Sequence, residues 1–356
     1  DYNYYLHKPV NNLEISQSIY YLEIPEPTIC DILLLGGGGA GGYDNGGGGG
    51  AGGLVYVENE TLQGLYKITV GKGGSGVSSQ TKGESGNDSI ISQNNINLYV
   101  ATGGGGGGTG NGTSAAGTNG GCGGGRAGEY NNSSVTGGIT TQIVYNLDNV
   151  YTFGTNGGNA PTGYGGSGGG GLKENGFDHS SKNNRYAGRG GDGISGIYTE
   201  NLSVNFKNKF KITDKNIGQH IIDNNNNYNV YFGGGGGGGN ENNYVSLYYD
   251  QNRGGIGGGG VGGGYRHYGN SSSTQHDAMQ NTGSGGGGSF YNNSTATKAG
   301  DGGSGVVLIK KKYLGSIWNV ILNDNIELNN IYIDPTELFF NFESEIYTYK
   351  NFFFIK

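Results

Sequence analysis

Seven consecutive glycines occupy positions 233–239 and six occupy 103–108, with GGGGAGG at 36–42 and GGGGGAGG at 46–53. Few architectures accept such runs. Glycine in a helix interior costs about 1 kcal/mol relative to alanine, and in a strand it offers no side chain to pack. Collagen is excluded as well, because glycine does not recur strictly every third residue and only five prolines are present. A flexible linker explains any one run, but not nine or so in one chain. Polyproline II helices do: they turn once in about three residues, rise about 3.1 Å per residue and leave the backbone free for neighbours. Without Cβ atoms such helices approach closely enough for N–H···O and Cα–H···O contacts between them. The expected core is therefore made of backbone, which explains how a chain poor in large apolar residues folds.

The glycines also set the domain plan. Of 81, none falls in residues 1–35, and Gly315 stands alone in 306–356. We therefore expect an N-terminal strand or linker segment (1–22), a glycine-rich body (23–313) and an aromatic-rich β extension (314–356). Within the body, strand-like stretches alternate with glycine runs. Residues 19–35 read as two strands divided at Pro25 and Pro27, and 54–70 as a hairpin with a polar turn. A second hairpin pairs DSIIS with INLYVAT, with Asn94-Asn95 at the turn. Another is expected at 142–153, several strands lie around 197–232, and NYVSLYY at 243–249 reads as one more. SGVVLIKKKY at 304–313 closes the body. No stretch predicts a convincing helix, so the expected fold class is all-β, with strands and hairpins framing a polyproline II bundle.

Several motifs invite a chemical reading and fail on their surroundings. Asp31 to Leu35 followed by GGGGAG matches the dinucleotide pattern GxGxxG, with Glu58 about 20 residues on. That pattern works only when a helix starts within it and points its N-terminus at the pyrophosphate, and GYDNGGGGGAGG makes no such helix. Gly71-Lys72 lacks the rest of a phosphate loop. Gly191-Asp192-Gly193 and Gly300-Asp301-Gly302 are isolated rather than tandem calcium repeats. His7, His179, His220, His267 and His276 show no metal-binding spacing. No nucleophile–base constellation can be named, so no enzyme activity, cofactor or metal is expected. Tyr265-Arg266-His267-Tyr268 reads as an ordinary loop before a contact patch.

Cys30 and Cys122 are too few for a disulfide framework or zinc ribbon; they read as two buried thiols, with one long-range disulfide as the alternative. Nine Asn-x-Ser/Thr sequons (Asn59, Asn87, Asn111, Asn131, Asn132, Asn201, Asn270, Asn292 and Asn293) are largely what 44 asparagines produce by chance. A net charge of −7 gives no footprint for nucleic acid, and no apolar run approaches the 18 or so residues of a membrane span. Lys310-Lys311-Lys312 reads as a charged guard beside a sticky strand. The chain opens at Asp1 and its one methionine is Met279, as expected of a processed protein or a piece of a longer one.

The order of these segments resembles the glycine-rich domain family of phage tail and tail-fibre proteins, large-virus virion proteins and bacterial surface proteins. The resemblance rests on IYYLEIPEPTICDILLLGGGGAGG, LVYVENETLQGLYKITVGKGG, GNDSIISQNNINLYVATGGGGGG and GDGGSGVVLIKKKY, and covers about 23–313. The stretches 139–153 and 197–232 are longer than the family pattern, and 314–356 lie outside it. It implies a structural module on a virion or cell surface, without catalysis, whose partners are other structural proteins or copies of itself. An adhesin binding a host glycan or receptor through Asn/Tyr-rich loops is the second reading. Ice binding is the third, although regular Thr or Ala rows are missing. Candidate interface residues are Trp318, Phe339, Phe340, Phe342, Phe352, Phe353 and Phe354, a heavy apolar load for a short tail. Another chain is expected to cover them, with a wrap around the chain's own body as the alternative.

Overall fold

The computed structural model describes residues 17–110, 114–128, 135–159, 163–178, 187–200, 202–222, 228–240, 252–263, 277–290, 298–312, 319–322 and 337–341. Two long strands organise the sheet end. β1 (Gln17–Leu35) and β2 (Leu54–Gly71) pair antiparallel from Gln17↔Gly71 to Leu35↔Leu54. The two strands expected at 19–35 are thus one. Pro25 and Pro27 fall between Ile24 and Thr28, where the register shifts, so a bulge absorbs the missing N–H groups. The hairpin expected at 54–70 is likewise one strand. Its polar centre forms a second irregularity between Cys30 and Ile32, where Asn59 takes a left-handed conformation (φ 59°) in place of a turn.

β3 (Ser89–Gln93) pairs with β2 and with β4 (Ile96–Ala101), through the expected turn at Asn94 (φ 52°) and Asn95 (φ 62°). Residues 142–153 do not form a hairpin; only β5 (Val150–Phe153) is a strand, on β2. The preceding residues run as a strap along β4: Gln142 accepts from the Thr102 N–H, and the Tyr145 hydroxyl from the Val100 N–H. Beyond the glycine runs come β6 (Gly196–Tyr198), β7 (Ser203–Asn205), the four-residue helix α1 (Phe206–Lys209), β8 (Gln219–Ile222) and β9 (Tyr228–Tyr231). Asn205 caps α1 by accepting from the Asn208 N–H. β10 (Val306–Lys311), β11 (Asn319–Leu322) and β12 (Glu337–Asn341) complete the set. The main sheet runs β12-β10-β1-β2-β3-β4, with β11 also on β1 and β5 on β2. The strand expected at 243–249 lies outside the described residues.

Where β10, the end of β1 and the start of β2 meet, both faces of the sheet are buried. Alternation sends Ile32, Leu34, Val55, Val57, Val307 and Ile309 into one apolar cluster, and Leu33, Leu35, Leu54, Tyr56, Val306 and Leu308 into another. The second cluster is roofed by Phe206, Phe210, Ile212, Val230 and Phe232 from the α1 module. That is why β10 reads as a continuous apolar run rather than an alternating one.

The glycine runs leave this sheet as a bundle whose bonding repeats every three residues. In the run 36–42, Gly36, Gly39 and Gly42 donate to the carbonyls of Gly53, Gly50 and Gly47. Gly37 and Ala40 donate to Asn87 and Glu84, and Gly38 and Gly41 to Gly303 and Gly300. The run 46–53 does the same, with Gly46, Gly49 and Gly52 bonded to Ser289, Gly286 and Gly283, and Gly47, Gly50 and Gly53 to Gly108, Gly105 and Thr102. Three faces recurring at i and i+3 are the signature of a three-residue turn, not of a strand's two. An ideal Cβ shows why glycine is required: on Gly236 it would lie 2.0 Å from the Gly286 oxygen, and on Gly48 2.0 Å from that of Gly236.

Candidate interaction surfaces

Two ends and a flank follow from this geometry. The sheet forms one end. At the other, runs 36–42 and 46–53 turn through Tyr43-Asp44-Asn45, with Asp44 and Asn45 left-handed (φ 58° and 52°). A layer of backbone bonds gathers the neighbouring run ends there: Gly110 donates to Asp44, Gly128 to Asn45, Gly239 to Gly46, Gly166 to Gly239, Gly188 to Gly166 and Gly263 to Gly288. The run ends at Gly110, Gly128, Gly239, Gly263 and Ser289 therefore lie together at this loop end. The sequences that follow Gly128 and Phe290, EYNNSS and YNNSTAT, are rich in Asn, Ser and Tyr.

On the flank, side chains accept the N–H groups that no further run reaches. Asn119 accepts from Ile139, Asn156 from Thr140, Asn175 from Asn156 and Asp178 from Asn159, at 2.5–2.9 Å. Asp192 and Asp301, in the two Gly-Asp-Gly segments, belong to the same system: they accept from the Ile256 and Gly76 N–H groups. Sequence reasoning missed this use of asparagine and aspartate. Its only trace in the sequence is an Asn or Asp next to a short glycine run.

The charged groups at the sheet end also have structural partners. Asp31, 1% exposed, accepts from the Asn59 N–H at 3.1 Å and lies 3.0 Å from Lys209 Nζ and 3.7 Å from Lys312 Nζ. Glu58 Oε1 is 3.3 Å from Lys209 Nζ, and Lys310 Nζ donates to the Lys209 carbonyl. Lys312 also donates to the Asn59 side chain. This corrects the reading of Lys310–Lys312 as an edge guard: β10 lies between β1 and β12, and the lysines tie α1 and β1 to it. A second cluster sets Arg189 over the Phe177 ring at 3.7 Å, paired with Glu174 and Asp192.

The dinucleotide-like run leads into no helix, and the N–H groups of residues 36–42 all donate to backbone carbonyls. No described group of His, Cys, Asp and Glu has a metal-binding arrangement. Cys30 and Cys122 are both free and buried, so the disulfide alternative falls. Burial pushes each thiol up to about 12, with Asp31 adding to the effect at Cys30. Of the histidines only His220 is described; its Nε2 is 3.0 Å from the Ile217 carbonyl oxygen. Of the sequons, Asn59 and Asn87 are described, and Asn59 is exposed. The Tyr265–Tyr268 patch lies outside the described residues. Among the aromatic candidates, Phe339 and Phe340 lie on β12, in register with Leu308 and Val307 of the same chain. Trp318, Phe342, Phe352, Phe353 and Phe354 lie outside the described residues.

The sequence model of the glycine-rich domain matches residues 15–312, most of the chain. The chain belongs to the glycine-rich domain family. Family membership spans the two long strands, every described glycine run and β10, and stops just before the segment that carries β11 and β12. No curated protein matches the chain significantly. Among the described residues, no helix is long and apolar enough to cross a membrane.

Proposed function

We propose that this glycine-rich domain protein is a non-enzymatic structural building block of a virion-surface or extracellular assembly such as a capsid, tail, fibre or filament. The observation that supports it is the lattice itself. Each interior segment is cross-linked to several others through backbone hydrogen bonds, and side chains are shut out at spacings near 2 Å. Such an interior suits rigidity and leaves its surfaces to meet neighbours, which are other structural proteins or copies of the chain. A reconstruction of the native assembly tests this: density for the chain at repeated, symmetry-related positions is expected, and its absence from particles and surface fractions overturns the proposal.

The second reading is an adhesin. It is favoured by one observation: the run ends at Gly110, Gly128, Gly239, Gly263 and Ser289 lie together at one end of the lattice, and Asn-, Ser- and Tyr-rich sequence such as EYNNSS and YNNSTAT follows runs that end there. Tyr and Asn suit recognition because they combine contact area with adaptable hydrogen bonding. Saturable binding on a glycan array, lost when residues 264–276 are replaced by a short Gly-Ser linker, supports this reading; the absence of binding to glycans or to host-cell surfaces removes it.

A further inference from the structure

A lattice of parallel and antiparallel glycine helices has no natural limit, since any outer helix still offers donors at a three-residue spacing. The outer flank here consists of 136–141, 154–159 and 174–178. Gly138 N–H joins the flank inward to Gly124, and the flank segments join one another through Gly157 N–H to Gly138 and Gly176 N–H to Asn156. Their outward residues Ile139, Thr140, Asn156 and Asn159 are exposed. Yet the N–H groups of these four do not point at open solvent. Each meets a side-chain oxygen, from Asn119, Asn156, Asn175 and Asp178 respectively. Asn156 plays both parts, accepting from Thr140 while its own N–H is taken by Asn175.

We propose that these amide and carboxylate groups are edge caps, which keep a second copy of this chain from adding its own glycine run to the flank. In the interior the equivalent N–H donates to a carbonyl of the next glycine segment, so each cap oxygen stands where that carbonyl would be. The bare edge would be a template in the way an unpaired strand edge is. The flank's own glycines show how tight such a lattice is, since an added carbon at Gly138 or Gly157 would lie 2.0 Å from the Thr118 or Gly124 oxygen of the segment beneath. Only a segment as free of side chains as this chain's own runs can enter such a lattice. The caps thus direct contacts between copies to the ends of the body and away from its flank.

The test compares two full-length variants with wild type by sedimentation velocity over a wide concentration range, in moderate salt so that added charge is screened. Asn119→Ala/Asn156→Ala/Asn175→Ala removes three caps. Asn119→Asp/Asn156→Asp/Asn175→Asp keeps an acceptor oxygen at each place. The alanine variant is expected to self-associate, at least doubling the wild-type mass at high concentration, while the aspartate variant follows wild type. An alanine variant that keeps the wild-type mass throughout means that water caps the edge equally well and overturns the proposal. Equal association of both variants overturns it too, since the acceptor would then not be the cause. Should the triple alanine variant not fold, Asn175→Ala alone, which frees one exposed N–H, is read in the same way.

Discussion

Replacing Gly236 by alanine adds a single carbon, and the lattice has no room for it. The new Cβ would lie 2.0 Å from the Gly286 oxygen and 2.6 Å from its carbon. A carbon–oxygen contact needs about 3.3 Å, so the two segments must separate by more than about 1 Å. The Gly286 carbonyl already accepts from the Gly49 N–H at 2.8 Å, and that separation breaks the bond. Both partners are then stranded in a buried place, at about 1–3 kcal/mol each. We expect a loss of about 2–4 kcal/mol for Gly236→Ala. Gly235 has the same problem with Gly169, whose oxygen would be 2.1 Å from the Cβ and accepts from the Gly191 N–H. The double valine variant should lose more than either single change, though not additively for neighbours. Against a total stability of about 5–15 kcal/mol, it should be close to unfolded at room temperature. Thermal unfolding followed by circular dichroism reads this, with Gly236→Ala melting roughly 5–15 °C below wild type. The opposite change is the control: Ala51→Gly removes one buried methyl and should cost about 1 kcal/mol. If Gly236→Ala melts with wild type, the close-packed bundle is wrong.

Three further outcomes are expected. Burial pushes the pKa of Tyr56 and Tyr99 well above the ordinary phenol value, and places those of Tyr20, Cys30 and Cys122 at about 12; these groups stay neutral when folded, so their stabilisation is complete below the ordinary phenol and thiol range and is lost as alkali ionises the unfolded chain. Absorbance at 295 nm should rise together with loss of structure, and thiol reagents should label neither cysteine before unfolding; labelling of the folded protein would contradict this. Asp31→Ala should destabilise by about 2–4 kcal/mol, because it leaves Lys209 and the Asn59 N–H without their buried acceptor; an unchanged melting curve would show the cluster to be idle. Deleting 314–356 removes β11 from β1 and β12 from β10, so the truncated chain should melt lower and aggregate through the bared β10 edge; a monodisperse product with wild-type stability would show that the tail's strands add nothing to the body.

The glycine runs were legible because a composition so hostile to helix and sheet leaves one regular backbone. The Asn94-Asn95 hairpin and the β10 strand were legible for local reasons, a turn that needs left-handed residues and an apolar run buried on both faces. The long strands were not. Pro25, Pro27 and the polar stretch at Glu58–Thr61 look like breaks, but β1 and β2 absorb them as bulges because pairing continues on either side. The strap at 142–149 carries a strand-like sequence and is fixed instead by Gln142 and Tyr145 on β4. The caps on the flank were invisible for a similar reason. Asn175 and the Asn156 N–H lie 19 residues apart, and only the folded bundle brings them together.

Amide hydrogen exchange at the glycines tests the account most directly, since a chain without the bundle has no reason to protect them. Residues 36–42, 46–53 and 233–239 have no strand or helix. Their N–H groups should nevertheless exchange as slowly as those of Leu33 and Val55 in the centre of the sheet, because nearly all of them donate to buried backbone carbonyls. Protection comparable to β1 and β2 across all three runs is the predicted result. Exchange at the rate of an unstructured glycine linker, with the sheet still protected, would contradict it.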